Sequence, residues 1–266
     1  YPVTLERLAA SAFSMTFFLG GMFLLLIPYT VLIYRPLQRW WRGEGSYHRL
    51  LQRISRFVIR RVPGVRFRER GGEGETFARP AVIVCNHQSH LDLMALMQLS
   101  PKIIVLTNDW VWRNPYYGVV IHTAEFRPVS NGYDRNFPHL QDLVRRGYSV
   151  VVFPEGTRTP DGGIGRFHKG AFTLAKALDV DILPVCLHGL YDVLPKHDFM
   201  LRRGSVTMDV LPRVPVEEVR AATDRELTQR MHRRYLEHYA RMRQELETEE
   251  WRRPYEAYKR KYKVKV

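Results

Sequence analysis

The chain has 266 residues, 45% of them hydrophobic and 26% charged, a globular composition that excludes a disordered chain, a collagen and a multi-span channel. Two cysteines, Cys85 and Cys186, exclude a disulfide scaffold. With 41 Lys+Arg against 27 Asp+Glu, the formal charge of +14 points to polyanions: nucleic acid, an anionic membrane surface or phosphorylated substrates.

The 27 residues from Leu8 to Tyr34 carry no charge. A bilayer core needs about 20 apolar residues in a helix, so this stretch predicts a membrane-anchoring helix. Gly20-Gly21 and Pro28 also allow a helical hairpin in one leaflet. Residues 35–64 follow with eight arginines and one acid, Glu44. A basic block beside an apolar segment predicts a juxtamembrane helix on the cytoplasmic face, attracted to anionic headgroups. Trp40 and Trp41 suit the headgroup belt.

From Val65 short β-branched runs alternate with helical patterns. Strands are predicted at 65–70, 81–85, 103–106, near Ala124–Phe126, at 150–153 and at 182–187. Helices are predicted at 91–99, 135–146 and 170–179. This alternation predicts an α/β fold, a mostly parallel mixed sheet flanked by helices. From Glu217 the chain is highly charged, with Leu227, Met231, Leu236, Tyr239 and Leu246 at helical spacing, which predicts a long helix over 223–250. The tail 251–266 interleaves Trp251, Tyr255, Tyr258 and Tyr262 with seven basic residues, and suits a membrane surface. The expected organisation is therefore a membrane-anchoring segment and basic helix (1–64), an α/β domain (65–216), and a charged helix with a basic aromatic tail (217–266).

Two blocks carry chemistry. CNHQSHLD (85–92) lies where a buried strand gives way to a helix, the place where an α/β sheet puts its ligand crevice. His87 can serve as a base near neutral pH, and Asp92 can orient it and stabilise its imidazolium. Without a serine, such a dyad needs a substrate that supplies the hydroxyl nucleophile. FPEGTRT (153–159) follows the strand at 150–153. Gly156 permits a tight turn, Arg158 is a forked donor suited to phosphate, and Glu155 can orient it or bind a hydroxyl. Gly162, Gly163 and Gly165 then form a glycine-rich loop, and Lys169 adds a cation.

NHxxxxD followed by FPEGTR resembles the glycerolipid acyltransferase family, best known for 1-acyl-glycerol-3-phosphate acyltransferases. The resemblance covers roughly 65–215. AEFRPVSN (124–131) sits where the family carries an arginine that contacts the acceptor phosphate, here Arg127. ILPVCLHG (182–189) is similar to the proline-containing strand near the acyl site, here Pro184. The resemblance implies a membrane-bound O-acyltransferase that moves an acyl chain from acyl-CoA or acyl-carrier protein to the free hydroxyl of a lysolipid, with 1-acyl-sn-glycerol-3-phosphate as the expected acceptor and phosphatidic acid as the product. His87 and Asp92 would be catalytic. Asn86, Arg127, Glu155, Gly156, Thr157, Arg158 and Pro184 would bind substrate, and backbone N–H groups at the helix start after His87 are candidate oxyanion donors. No metal and no cofactor are expected, the thioester being a co-substrate. The expected partners are the lysolipid, the thioester donor and an anionic membrane surface, with no nucleic acid.

Three other readings stand beside this one. The same chemistry could act on a lyso-aminolipid. His87, His90 and Asp92 could ligate zinc. The chain could be a non-catalytic binder of lipid or nucleic acid. Cys85 and Cys186 read as inert packing groups, His122, His168 and His188 as structural histidines, and Trp110 and Trp112 as either acyl-groove or packing residues.

Overall fold

The structure, a computed structural model, describes residues 8, 12, 26–37, 45–62, 64–129, 132–196 and 201–248. Most of the predicted apolar anchor, Trp40, Trp41 and the basic aromatic tail lie outside these residues. Among the described residues, no helix is long and apolar enough to cross a membrane. The end of the apolar stretch forms a π-type helix, Tyr29–Tyr34, that runs into Arg35–Leu37. It docks on the domain where the Thr30 hydroxyl meets that of Tyr47 at 2.8 Å and Arg35 Nε donates to Thr123 at 3.1 Å.

Helix α1 (Ser46–Arg61) leads into β1 (Val65–Gly71), β2 (Ala81–Cys85) and α2 (Asp92–Met97). Then come β3 (Ile103–Thr107), α3 (Asp109–Arg113), α4 (Pro115–Thr123), β4 (Arg127–Pro128) and α5 (Gly132–Arg145). The chain continues through β5 (Ser149–Val152), α6 (Gly170–Leu178), β6 (Asp181–His188), α7 (Leu190–Val193) and β7 (Gly204–Val210). It closes with α8 (Val216–Ala221) and α9 (Asp224–Leu246), whose start is fixed by a capping box between Thr223 and Glu226.

The seven strands form one sheet in the order β1-β7-β6-β2-β5-β3-β4. All neighbours are parallel except β6 and β7, so the predicted mostly parallel mixed sheet is observed. Every residue of β2 and of β6 is buried, which follows from cover on both faces of the sheet. The chain leaves β2 toward β3 but leaves β5 back across β2 toward β6. That reversal opens a crevice at the carboxyl ends of β2 and β5.

The observed elements differ from the expected ones at several points. The strand predicted near Ala124–Phe126 is the two-residue β4 at Arg127–Pro128, because helix α4 runs on to Thr123. Helices α3, α4, α7 and α8 and strand β7 carry no counterpart in the predicted elements. On α9 the buried stripe is Leu227, Met231, Tyr235, Tyr239 and Met242, whereas Leu236 is 45% exposed. This helix shares its core with the sheet, and the Tyr235 hydroxyl donates to Val84 O at 2.6 Å.

Candidate active site

β2 ends at Cys85, and the next residues turn across the sheet's carboxyl edge. Asn86 holds that turn. Its carboxamide donates to Leu187 O at 2.9 Å and accepts from Leu187 N at 2.8 Å, tying the end of β2 to β6. With both amide ends used and the side chain fully buried, Asn86 is not placed to bind substrate, contrary to expectation.

His87 and Asp92 meet as the sequence spacing suggests. His87 Nδ1 lies 2.7 Å from Asp92 Oδ2, and the imidazole stacks on Phe153 at 4.1 Å between ring centroids. Asp92 is completely buried at the start of α2, whereas the His87 side chain is 20% exposed. Holding Nδ1 against the carboxylate leaves Nε2 as the nitrogen available to a substrate.

The two backbone N–H groups between His87 and the start of α2 are engaged. Gln88 N and Ser89 N both donate to Asp92 Oδ2, at 2.6 and 2.9 Å. They hold the carboxylate in place and are not free to serve as oxyanion donors.

The FPEGTRT turn latches onto the same backbone. Thr159 N donates to His87 O at 2.9 Å, and His87 N donates to Glu155 Oε1 at 3.3 Å. Gly156 has φ +69, a left-handed conformation that a side chain would strain. Burial pushes the Glu155 carboxyl up to about 8, against the lowering effect of the His87 and Gly165 backbone donors. Its other oxygen faces Gly165, where an added Cβ would come within 2.8 Å. Arg158 is half-buried. Desolvation pulls its guanidinium below the ordinary value, and the nearby Asp92 opposes that effect. Among the described residues, Gln88 Oε1, Asp92 Oδ1, Arg158 Nη1 and Thr159 Oγ1 are buried without a hydrogen-bond partner. Thr157 accepts from Lys196 Nζ at 3.1 Å.

A family model described as Acyltransferase matches residues 64–188. Residues 64–188 are thus similar to acyltransferases. The chain is 32% identical over 177 residues to 1-acyl-sn-glycerol-3-phosphate acyltransferase beta of Homo sapiens, 64% of this chain and 63% of that one. It is 33% identical over 132 residues to the chloroplastic 1-acyl-sn-glycerol-3-phosphate acyltransferase LPAT1 of Arabidopsis thaliana, 48% of this chain and 37% of that one. The chain thus spans roughly a third to two thirds of these relatives' length. In fold it is similar to the 1-acyl-sn-glycerophosphate (LPA) acyltransferase PlsC from Thermotoga maritima. The TM-score is 0.73 at 18% identity, over 90% of this chain and 97% of that one.

Two expected residues of the acyltransferase domain stand apart from the dyad. Arg127 sits on β4, three strand spacings from β2, about 14 Å across the sheet. Its guanidinium lies over the Trp112 ring at 5.7 Å and meets His139 Nδ1 at 3.3 Å. Pro184 is buried in β6, four residues before the strand's carboxyl end, about 13 Å back along the chain. Its missing N–H falls at a break in pairing, between the β7 ladder and the Ile182–Val214 bridge, where Pro184 O accepts from Leu211 N at 2.9 Å.

His90 is exposed, and among the described residues no group of three His, Cys, Asp or Glu side chains is placed to hold a metal ion. Trp112 packs against His122 and under Arg127, whereas Trp110 is exposed. Cys85 and Cys186 are free and buried. Sequence reasoning assigned no role to Gln88, and to Thr159 only that of a hydroxyl donor, not the backbone bond to His87. Both stand inside the two recognised blocks, but their partners lie far along the chain.

Proposed function

We propose that the protein is an O-acyltransferase that acylates the free hydroxyl of 1-acyl-sn-glycerol-3-phosphate from an acyl thioester, giving phosphatidic acid. The observation that carries this reading is the Asp92-held imidazole of His87 together with an Arg158 guanidinium that feels the Asp92 charge and keeps one buried, unpartnered nitrogen. His87 Nε2 takes the hydroxyl proton as the oxygen attacks the thioester carbonyl. The C–S bond then breaks, and the thiolate of CoA or of the carrier protein receives the proton from the imidazolium. Asp92 stabilises the imidazolium between these steps. Arg158 binds the acceptor phosphate through charge-assisted hydrogen bonds, and Arg127 extends the cationic edge. Glu155 and Gly156 shape the turn, and Thr157 and Thr159 contribute hydroxyls.

The protein works at an anionic membrane on its cytoplasmic side, where lysolipid and product reside. Leu32, Ile33 and Leu37 are exposed beside α1, which has no acidic residue and turns Arg49, Arg53, Arg56 and Arg61 outward. Such a surface suits insertion beside anionic headgroups.

A thioester-release assay in detergent tests the reading. Wild type, His87→Ala and Arg158→Ala are given palmitoyl-CoA or acyl-carrier protein with lysophosphatidic acid or a lyso-aminolipid. Release with lysophosphatidic acid, abolished by His87→Ala and with acceptor KM raised about tenfold or more by Arg158→Ala, is the expected result. Release with the lyso-aminolipid alone replaces the acceptor. No release from folded wild-type protein with any pair refutes the activity.

A further inference from the structure

The hydroxyl of Tyr239 joins three parts of the chain. It donates to Gly162 O at 2.5 Å and accepts from Gln88 Nε2 at 2.8 Å, while Gln88 Nε2 also donates to Gly162 O at 2.7 Å. Gln88 follows His87 directly, Gly162 belongs to the glycine loop after FPEGTRT, and Tyr239 lies on α9, outside the matched residues 64–188. All three groups are shielded: Gln88 is fully buried, Tyr239 is buried, and Gly162 packs under the Tyr191 ring. The amide orientation of Gln88 is set by its neighbours, since a flip would put two carbonyl oxygens against each other at Gly162.

The contact reaches the dyad in one covalent step. The side chain of Gln88 is fixed by Tyr239, and its backbone N–H donates to Asp92 Oδ2, the oxygen that also holds His87 Nδ1. Tyr235, one turn earlier on α9, makes a different contact. It receives Val185 N–H at 3.1 Å and donates to Val84 O at 2.6 Å, joining the end of β2 to the middle of β6, with no hydrogen bond to Gln88 or Asp92. The far end of α9 is fastened by Glu247, which receives Arg243 Nε at 2.7 Å and lies 3.1 Å from His188 Nε2.

We propose that Tyr239 is a positioning residue for the acyl-transfer step: through Gln88 and Gly162, the C-terminal helix sets the alignment of the His87–Asp92 pair. This rests on the proposed function for its kinetic consequence, but not for its structural one. Tyr239→Phe keeps the ring and removes only the hydroxyl. Gln88→Met, of similar length, removes the amide from the other side.

Amide hydrogen exchange is measured first because it needs no turnover. In Tyr239→Phe the Gln88 and Ser89 amides should exchange about tenfold faster, the equivalent of one lost buried hydrogen bond, while the β2 amides stay protected. Tyr235→Phe should instead weaken protection in β2 and β6. In the thioester assay, Tyr239→Phe should lower kcat about tenfold with both KM values unchanged, and Gln88→Met combined with it should add little further loss. Unchanged exchange at Gln88 and Ser89 in both Tyr239→Phe and Gln88→Met overturns the inference, whatever the substrate. A wild type that releases no thioester refutes the proposed activity, and the exchange data still decide the role of Tyr239.

Discussion

Asp92→Asn separates the charge of the dyad from its geometry. Asp92 Oδ2 accepts from His87 Nδ1, Gln88 N and Ser89 N, while Oδ1 has no partner. Two backbone donors dictate that asparagine puts its carbonyl oxygen where Oδ2 was. The His87 Nδ1–H therefore keeps its acceptor, and Nε2 stays available as the base. What disappears is the negative charge opposite the imidazolium. Unit charges about 3 Å apart at an effective dielectric of about 20 interact by about 5 kcal/mol. With the proton about half transferred at the transition state, the loss is about 3 kcal/mol, or about 10²-fold in kcat. The amide NH2 would occupy the unpartnered Oδ1 position and cost about 1–3 kcal/mol of stability, each kcal/mol lowering Tm by about 2–4 °C. Thioester release at saturating substrates and a thermal melt by circular dichroism measure the two effects. A kcat within about threefold of wild type would show that the charge is not used. A loss near 10⁴-fold in a protein of unchanged Tm would show that the amide has flipped and the tautomer with it, against the reasoning from the backbone donors. Asp92→Ala is the contrasting case: it orphans three donors at once, and the melt should show a loss of about 3–5 kcal/mol.

Burial pushes Glu155 from 4.5 to about 8, so the folded protein holds a proton there that the unfolded chain has released. Stability from this group is complete below pH 4.5, falls as pH rises toward 8 and is then constant, a change on the order of 5 kcal/mol. Glu155→Gln should therefore match wild type in Tm near pH 4.5 and exceed it increasingly up to about pH 8; a Tm difference independent of pH would contradict the assignment. Gly162→Ala should lose about 1–3 kcal/mol in chemical denaturation, because φ is +76 and the new Cβ would come within 2.8 Å of the Tyr191 ring. An alanine variant as stable as wild type would mean that the loop relaxes freely. Cys85 and Cys186 are buried, and burial pushes both thiols up, so iodoacetamide should alkylate them only after unfolding, as read by intact mass.

The central strands were readable because β2 and β6 are covered on both faces and so appear as unbroken apolar runs. Strand β7 was not, because Thr207 and Asp209 are polar yet buried. Asp209 is satisfied by Arg70 at 2.8 and 2.9 Å and lies 2.8 Å from His238, partners that no local pattern reveals. The same limit misassigned the C-terminal stripe. Leu236 is the more apolar residue, but Tyr235 is the one whose hydroxyl finds Val84 and Val185 inside. Helices α3 and α4 fill a stretch where NDWVWRNPYYGV offers aromatics and turn residues without a clean period.

The dyad could be read because its members are five residues apart on one turn. The bonds that hold that turn could not, because they close over much longer distances: Thr159 to His87, Leu187 to Asn86 and Tyr239 to Gln88. The choice of oxyanion donors is narrowed for a related reason. A turn that opens a helix offers free N–H groups when considered alone. Here Asp92, from the first turn of that helix, folds back onto the N–H groups of Gln88 and Ser89. The same two donors cannot fix the carboxylate that aligns His87 and also receive the charge that develops on the thioester oxygen. In the proposed reaction, stabilisation of that oxygen must therefore come from groups other than Gln88 N and Ser89 N.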